Sequence, residues 1–456
     1  MAKIKKAFFC NNCGYESVKW LGQCPSCGQW NTMVEEVVSK GDGATSKTVS
    51  FNAGSAKPQR LSDVDAGGRE SRILLGSSEF DRVLGGGMVK GSMVLLAGEP
   101  GIGKSTLSLQ IPLTCNDLKT LYVSGEESAR QIKLRAERLG GTHDNCIVLA
   151  ETSLENIIEQ AKVVAPELLI VDSIQTIYSD IVESSAGSVS QIRECAAALL
   201  RFAKETNTPV IVIGHITKDG TIAGPKVLEH IVDVVLQFEG DTKHSFRILR
   251  GIKNRFGASE ELAVYEMTGS GLKEVLNPSD MFIPMHEQNL SGIAVSAMLD
   301  GTRPFLIEVQ ALVSTAAYGT PQRSATGFDV RRMNMLLAVL EKRVGFKLSQ
   351  KDVFLNMAGG IRVTDPACDL ATVISILSSN FDVSVNQRFA FAGEVGLSGE
   401  IRPVSQVERR IAEAEKLGFE KIFISSYNHK EETKHPHIEV IRTANIPQLV
   451  RMIFQS

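Results

Sequence analysis

Met93-Val-Leu-Leu-Ala97-Gly98-Glu-Pro-Gly101-Ile-Gly103-Lys104-Ser105-Thr106 is the stretch on which the reading of the fold turns. Met93–Ala97 is a short apolar run without polar interruption, which reads as a strand buried on both faces. The residues after it fit GxxxxGK[ST], a loop that passes from a strand into a helix. Glycines in such a loop let the backbone curl until successive N–H groups face a phosphate, and the helix N-terminus adds positive potential. On this reading Gly98, Glu99, Pro100, Gly101, Ile102, Gly103, Lys104, Ser105 and Thr106 cradle the phosphates of a nucleotide. Lys104 binds the β- and γ-phosphates and the Ser105 hydroxyl holds Mg2+, so ATP and Mg2+ are the expected cofactors.

Working outward, Thr120–Ser124, Leu168–Asp172 and Pro209–Gly214 are further short apolar runs bounded by turn or polar residues. Helical periodicity fills Ser105–Leu113, Leu154–Val164 and Gln191–Glu205. Strands alternating with helices predict an α/β core with a mostly parallel sheet covered on both faces. Ligands of such sheets gather at the carboxyl ends of the strands, which makes the polar residues there candidates. Asp172 ends one strand and is placed to hold Mg2+. Tyr122-Val-Ser124-Gly125-Glu126-Glu127 ends another with two carboxylates; Glu126 is the expected base for the attacking water, with Glu127 its neighbour or substitute. His215 ends a third and is placed to sense the γ-phosphate. The loop after it, Ile216–Lys226, mixes small, hydroxyl and basic residues in a way that suits tracking the backbone of single-stranded DNA. Lys218, Thr221 and Lys226 are its candidate contacts, and Tyr178–Val189 is a second candidate loop.

Four of the eight cysteines fall in the first thirty residues, as Cys10-Asn-Asn-Cys13-Gly and Cys24-Pro-Ser-Cys27-Gly. Two such knuckles supply four thiolates for one tetrahedral Zn2+. A redox dithiol or a disulfide pair is the alternative. The segment carries too few apolar residues to fold alone, so the metal must supply stability, on the order of 10 kcal/mol. Lys3, Lys5, Lys6 and Lys19 oppose Glu16 around it and suit contact with DNA or a partner protein. Cys115, Cys146, Cys195 and Cys368 are scattered among apolar neighbours and read as reduced core thiols of a cytoplasmic protein.

The whole chain has 456 residues, 43% hydrophobic and 22% charged, with a formal net charge of −3. That is ordinary globular usage, long enough for several domains, and any nucleic-acid surface must be local. No apolar run approaches the ~18–20 residues that span a bilayer. Residues 39–60 are rich in Gly, Ser, Thr, Ala and Lys and read as a flexible linker. The predicted organisation is a zinc module over 1–38, that linker, an ATPase domain over 61–276 and an α+β domain over 277–456. Helical stretches are predicted in the last domain at Met333–Val344 and Gln406–Leu417.

These motifs resemble the RecA/DnaB superfamily of ATPases. With the zinc ribbon ahead and Lys253-Asn-Arg255-Phe-Gly257 behind, the whole chain is similar to the RadA/Sms family of bacterial DNA repair proteins. The resemblance implies a RecA-like core, a KNRFG motif and a Lon-protease-like C-terminal domain. It further implies a homo-oligomeric, hexameric ring that moves on single-stranded DNA and extends branched recombination intermediates together with RecA recombinase. A Lys and an Arg two apart on a strand point the same way. In related rings such a pair reaches the γ-phosphate of the neighbouring subunit, so Lys253 and Arg255 join the expected catalytic set with Lys104, Glu126 and Glu127.

The Lon resemblance runs through Gly393-Glu-Val-Gly-Leu-Ser-Gly399-Glu-Ile-Arg-Pro403. By spacing it puts Ala367 at the nucleophile and Glu408 at the lysine of the Lon dyad, and neither can do that chemistry. The domain is expected to be a proteolytically silent scaffold, with Lys342, Arg343, Lys347 and Lys351 as a basic face. An ATP-dependent protease and a nucleotide-switched signalling ATPase ring are the alternative functions.

Overall fold

The computed structural model describes residues 5–10, 15–38, 60, 72–215, 226–240, 246–283, 290–316, 320–429 and 434–454. The predicted linker, apart from Arg60, lies outside the described residues. The chain divides into two compact units, Met1–Val275 and Leu276–Ser456.

The strands of the first unit's large sheet are β1 (Met93–Gly98), β2 (Thr120–Ser124), β3 (Cys146–Ala150), β4 (Leu168–Asp172), β5 (Val210–His215), β6 (Val234–Glu239), β7 (Phe246–Asn254), β8 (Leu262–Thr268) and β9 (Gly271–Glu274). Their order across the sheet is β9-β8-β7-β6-β1-β5-β4-β2-β3. The six from β6 to β3 are parallel. The last three chain segments add antiparallel strands at one edge. Between the parallel strands run α1 (Lys104–Thr114), α2 (Ala129–Leu139), α3 (Leu154–Val164), α4 (Val189–Thr206) and the short α5 (Lys226–Ile231).

The unbroken apolar runs are explained by the two cores. Met93, Leu95 and Ala97 point to one face with Ile157 of α3 and Leu199 of α4. Val94 and Leu96 point to the other, with Leu107 and Ile111 of α1 and Ile132 of α2. A strand with a core on each face has no solvated side on which to carry polar residues. Helix starts are set locally: Ser128 and Gln131 form a capping box on α2, and the Ser188 side chain caps α4.

The four strands expected from apolar runs are present. The others were not singled out: β3, apolar in sequence, is only half-buried in the sheet, and β7 alternates between buried and half-buried residues over much of its length.

A small three-stranded antiparallel sheet, Glu16–Ser17, Lys5–Cys10 and Met33–Val38 in that spatial order, carries the cysteine knuckles. Among the described residues no helix is long and apolar enough to cross a membrane.

The second unit is built on seven strands: β10 (Ile293–Asp300), β11 (Arg303–Thr315), β12 (Arg323–Thr326), β13 (Lys351–Met357), β14 (Phe389–Ala392), β15 (Lys421–Ser425) and β16 (Glu439–Thr443). Their order is β12-β13-β11-β10-β14-β15-β16, with parallel and antiparallel pairs mixed. Its helices include α6 (Val330–Val339), α7 (Asp369–Phe381) and α8 (Val407–Lys416). The helical stretch expected over 333–344 is α6 running into a wider π-type turn, Leu340–Val344, which ends at Gly345 in the left-handed region. α7 buries Asp369 through Ser378 without a break, so it is a central helix.

One buried ion pair pins this unit. Arg410 on α8 is 1% exposed and donates to Asp365 Oδ2 at 2.6 Å and to the Ala297 carbonyl at 2.9 Å. Asp365 also accepts from the backbone N–H groups of Leu299 and Ala367. Removing one partner of such a pair strands the other charge in the core, at about 3–5 kcal/mol. Arg410→Ala should therefore destabilise the C-terminal unit by about 3–5 kcal/mol, read as a lowered transition temperature in differential scanning calorimetry of the full chain, while the ATPase unit's transition stays in place.

Candidate active site and metal centre

The phosphate loop closes at Gly103, whose φ of +121° at the N-terminus of α1 is one an L side chain rarely adopts. Lys104 is the first residue of α1 and is 3% exposed. Its ammonium donates to the carbonyls of Gly98 and Glu99, each at 2.8 Å. Burial pulls its pKa down to about 8, against the charges of Asp172, Glu126 and Glu99, which push it up. Ser105 and Thr106 are half-buried beside it, Ile102 is buried, and Glu99 and Pro100 are exposed on the loop.

Register brings the other candidates to the same edge. His215 stands opposite Gly98 across β5 and β1, and Ser124 stands opposite Asp172 across β2 and β4. Asp172 is 5% exposed; its Oδ2 accepts from the Tyr122 hydroxyl at 2.8 Å. Its Oδ1 is buried with no hydrogen-bond partner among the described residues. An orphaned carboxylate oxygen beside a phosphate-binding loop fits a divalent cation.

Glu126 Oε1 accepts from the Ser173 hydroxyl at 2.7 Å and lies 3.1 Å from His215 Nε2. Burial alone would raise the Glu126 pKa. The Ser173 and His215 hydrogen bonds, with the charges of His215 and Lys104, outweigh it and hold the carboxyl below the ordinary glutamate range. Glu127 is turned to Arg135 of α2, with which it forms an ion pair. The two glutamates are thus distinguished: Glu126 joins the cluster with Lys104, Asp172 and His215, and Glu127 does not.

Lys253 and Arg255 are brought together, though not by the expected alternation. β7 ends at Asn254, so Arg255 lies one residue beyond the strand. The two meet instead at the α5–β6 corner. Lys253 Nζ donates to the carbonyls of Val232 (2.8 Å) and Glu229, and Arg255 pairs with Asp233 at 3.3 Å. Asp233 in turn accepts from Met93 N–H, at the start of β1. Partners that the sequence reading did not single out are Ser173, Arg135 and Asp233. Ser173 was signalled only by following Asp172; the other two bonds cross 8 and 22 residues of chain.

In the zinc module Cys10 and Cys24 are buried and Cys27 is half-buried. Their sulfurs lie within 4.8 Å of one another, and Cys10 Sγ is 3.7 Å from Cys27 Sγ. Zn–S bonds of about 2.3 Å set the edge of a tetrahedron at about 3.8 Å, so the three sulfurs fit zinc. Gly28, at φ +69°, bends the second knuckle and donates its N–H to the Cys24 carbonyl. Cys13 lies outside the described residues, as do Lys218 and Thr221 of the candidate DNA loop. Lys226 opens α5 at the end of that loop, and His215 stands at its start.

Three family models match the chain: an AAA domain over residues 55–221, a rubredoxin metal-binding domain over 8–35, and subunit ChlI of Mg-chelatase over 312–428. DNA repair protein RadA of Bacillus subtilis (strain 168) is 48% identical over 454 residues, 99% of each chain. RadA of Halalkalibacterium halodurans is 48% identical over 98% of each, and RadA of Listeria monocytogenes 46% over 99%. The chain belongs to the RadA family of DNA repair proteins. It is an ATPase with a RecA-like core, for which ATP and Mg2+ are the nucleotide and metal. Its N-terminal ribbon is a zinc site, and its C-terminal unit is ChlI- and Lon-like.

In this RadA family member, of the two residues that the resemblance sets at the Lon dyad positions, Ala367 packs in the core and Glu408 is a half-buried carboxylate. Ala367 is wholly buried among Val407, Ile411 and Ile424. Glu408 lies 3.2 Å from His435 Nε2, whose Nδ1 is 2.8 Å from Glu415. Cys368 is fully buried, and burial, with the Asp365 charge, pushes its thiol far above the ordinary range. An un-ionised thiol there is no nucleophile.

Two outcomes follow from this geometry. In the nucleotide-free protein Lys104 carries its proton below about pH 8 and loses it above. Phosphate charge beside it raises that pKa, so Mg-ATP binding should take up close to one proton at pH 9 and almost none at pH 7. Calorimetric titration in buffers of different ionisation enthalpy measures this directly. Separately, Cys27→Ala should reduce bound zinc from one per chain to near zero by elemental analysis, and leave the melting of the ATPase unit unchanged.

Proposed function

We propose that the chain is an ATP-driven motor on single-stranded DNA. It assembles as a homo-oligomeric, hexameric ring in the cytoplasm and processes branched recombination intermediates with RecA recombinase. The observation that carries the proposal is the separation of the two cationic groups. Asp233, which pairs with Arg255, hydrogen-bonds Met93 at the start of β1, whereas the phosphate loop begins at Gly98 at its end. Five residues of strand span about 16 Å, so Lys253 and Arg255 serve a site on another subunit better than their own.

Within one subunit Lys104 and the loop N–H groups bind the phosphates, and Ser105 and Asp172 hold Mg2+. When bound, the nucleotide supplies the γ-phosphoryl group and Mg2+ neutralises its charge. Ser173 and His215 both engage Glu126 Oε1, which leaves Oε2 to orient the attacking water and take its proton. Glu127, tied to Arg135, supports this segment of chain. His215 contacts Glu126 and immediately precedes in sequence the loop that carries Lys218, Thr221 and Lys226, so DNA held by that loop acts on the base through one side chain.

The C-terminal unit serves assembly and is not a protease. The buried cation near Ala367 is Arg410, a guanidinium that cannot act as a base, and it is neutralised by Asp365.

Single-stranded oligonucleotide should stimulate ATP hydrolysis, with an effect that weakens as salt rises. Arg255→Ala should lower stimulated turnover by about 10³ or more, as loss of a trans cationic contact does in related systems, while nucleotide still binds. Mixing it with Lys104→Ala should restore part of the rate in rings shown by mass measurement to contain both. Full DNA-stimulated turnover by Arg255→Ala would remove that residue from catalysis.

A further inference from the structure

Asp172 is held by a side chain that the nucleotide-binding motifs do not include. Tyr122 occupies the middle of β2, a wholly buried strand, between Leu121 and Val123, and is 1% exposed. It pairs in register with Ile170 of β4, two residues before Asp172, and its hydroxyl reaches Asp172 Oδ2 at 2.8 Å. A carboxylate oxygen can only accept, so the phenol is the donor of this bond.

The hydroxyl occupies Oδ2 and leaves Oδ1 as the buried oxygen without a partner among the described residues.

We propose that Tyr122 is a positioning residue for the divalent-metal site. It turns one defined oxygen of Asp172 toward the cation. The proposal rests on the ATPase reading and needs neither DNA nor ring assembly. Outer partners of metal ligands of this kind are worth about 10–100-fold in metal affinity.

Tyr122→Phe removes the hydroxyl and keeps the ring in its core position. The test is the Mg2+ dependence of fluorescent-ADP binding to the full-length protein without DNA, with Mn2+ binding followed by electron paramagnetic resonance. The variant should need roughly 10-fold or more Mg2+ for half-maximal binding. It should bind the nucleotide as wild type does when Mg2+ is chelated. Hydrolysis should recover at high Mg2+, so the loss appears as a metal requirement and not as a lower limiting rate. Should Tyr122→Phe fail to fold, Tyr122→Leu, which also lacks the hydroxyl and keeps an apolar side chain in the core, decides the matter by a shift in the same direction. A wild-type Mg2+ midpoint in whichever folded variant is measured overturns the proposal. So does a change in metal-free nucleotide affinity as large as the change with Mg2+. Either result would leave the DNA-motor reading untouched, because DNA stimulation is not measured here.

Discussion

Parallel strands buried on both faces leave a side chain with chemistry nowhere to go except the ends of the strands. In the ATPase unit Val94 and Leu96 face one core while Met93, Leu95 and Ala97 face the other, and the neighbouring strands repeat the pattern. Parallel register then carries the strand ends to a common edge. Gly98, Ser124, Asp172 and His215 close four successive lines of the sheet there. The concentration of charge at that edge is a consequence of the apolar strands beneath it.

A buried edge of this kind has to satisfy its ionised groups locally. Lys104 is surrounded by the charges of Asp172, Glu126 and Glu99, and even so burial leaves it easier to deprotonate than an exposed lysine. Glu126 shows the opposite balance, since two directed hydrogen bonds and two positive charges overcome its burial. One glutamate of the Glu126–Glu127 pair is drawn into this cluster. The other is held by Arg135, so two adjacent carboxylates of like chemistry have different electrostatic surroundings. At the opposite end of β1, Asp233 binds Met93 and Arg255 together and ties the KNRFG segment to the strand that leads into the phosphate loop.

The C-terminal unit answers a related constraint in a different way. Asp365 sits where a short helical turn presents Ala367, and its charge is balanced by Arg410 from 45 residues away in the chain. With Ala367 in an apolar core and Cys368 fully buried, that corner is a packed structural joint. The zinc ribbon relies on neither device. Its core cluster is a few residues centred on Cys10, Cys24 and Met33, too small to hold a fold without the metal bonds.

The phosphate loop, the strands that end at Ser124, Asp172 and His215, and the doubled cysteine knuckles were legible because each is a local pattern. A run of apolar residues, a glycine spacing or a Cys-x-x-Cys pair states its own structure within a few residues. The antiparallel strand Phe246–Asn254 was not, since Arg and Lys interrupt its apolar residues and its burial depends on neighbours distant in sequence. Tertiary structure alone decided which glutamate faces Lys104, and that Lys253 and Arg255 meet at Asp233 instead of along one strand. It also decided that Tyr122 takes one oxygen of Asp172 across 50 residues of chain. The physical reason is common to all three. A hydrogen bond or ion pair depends on distance and direction between side chains, and those are set by sheet register and helix packing, which no short stretch of sequence contains.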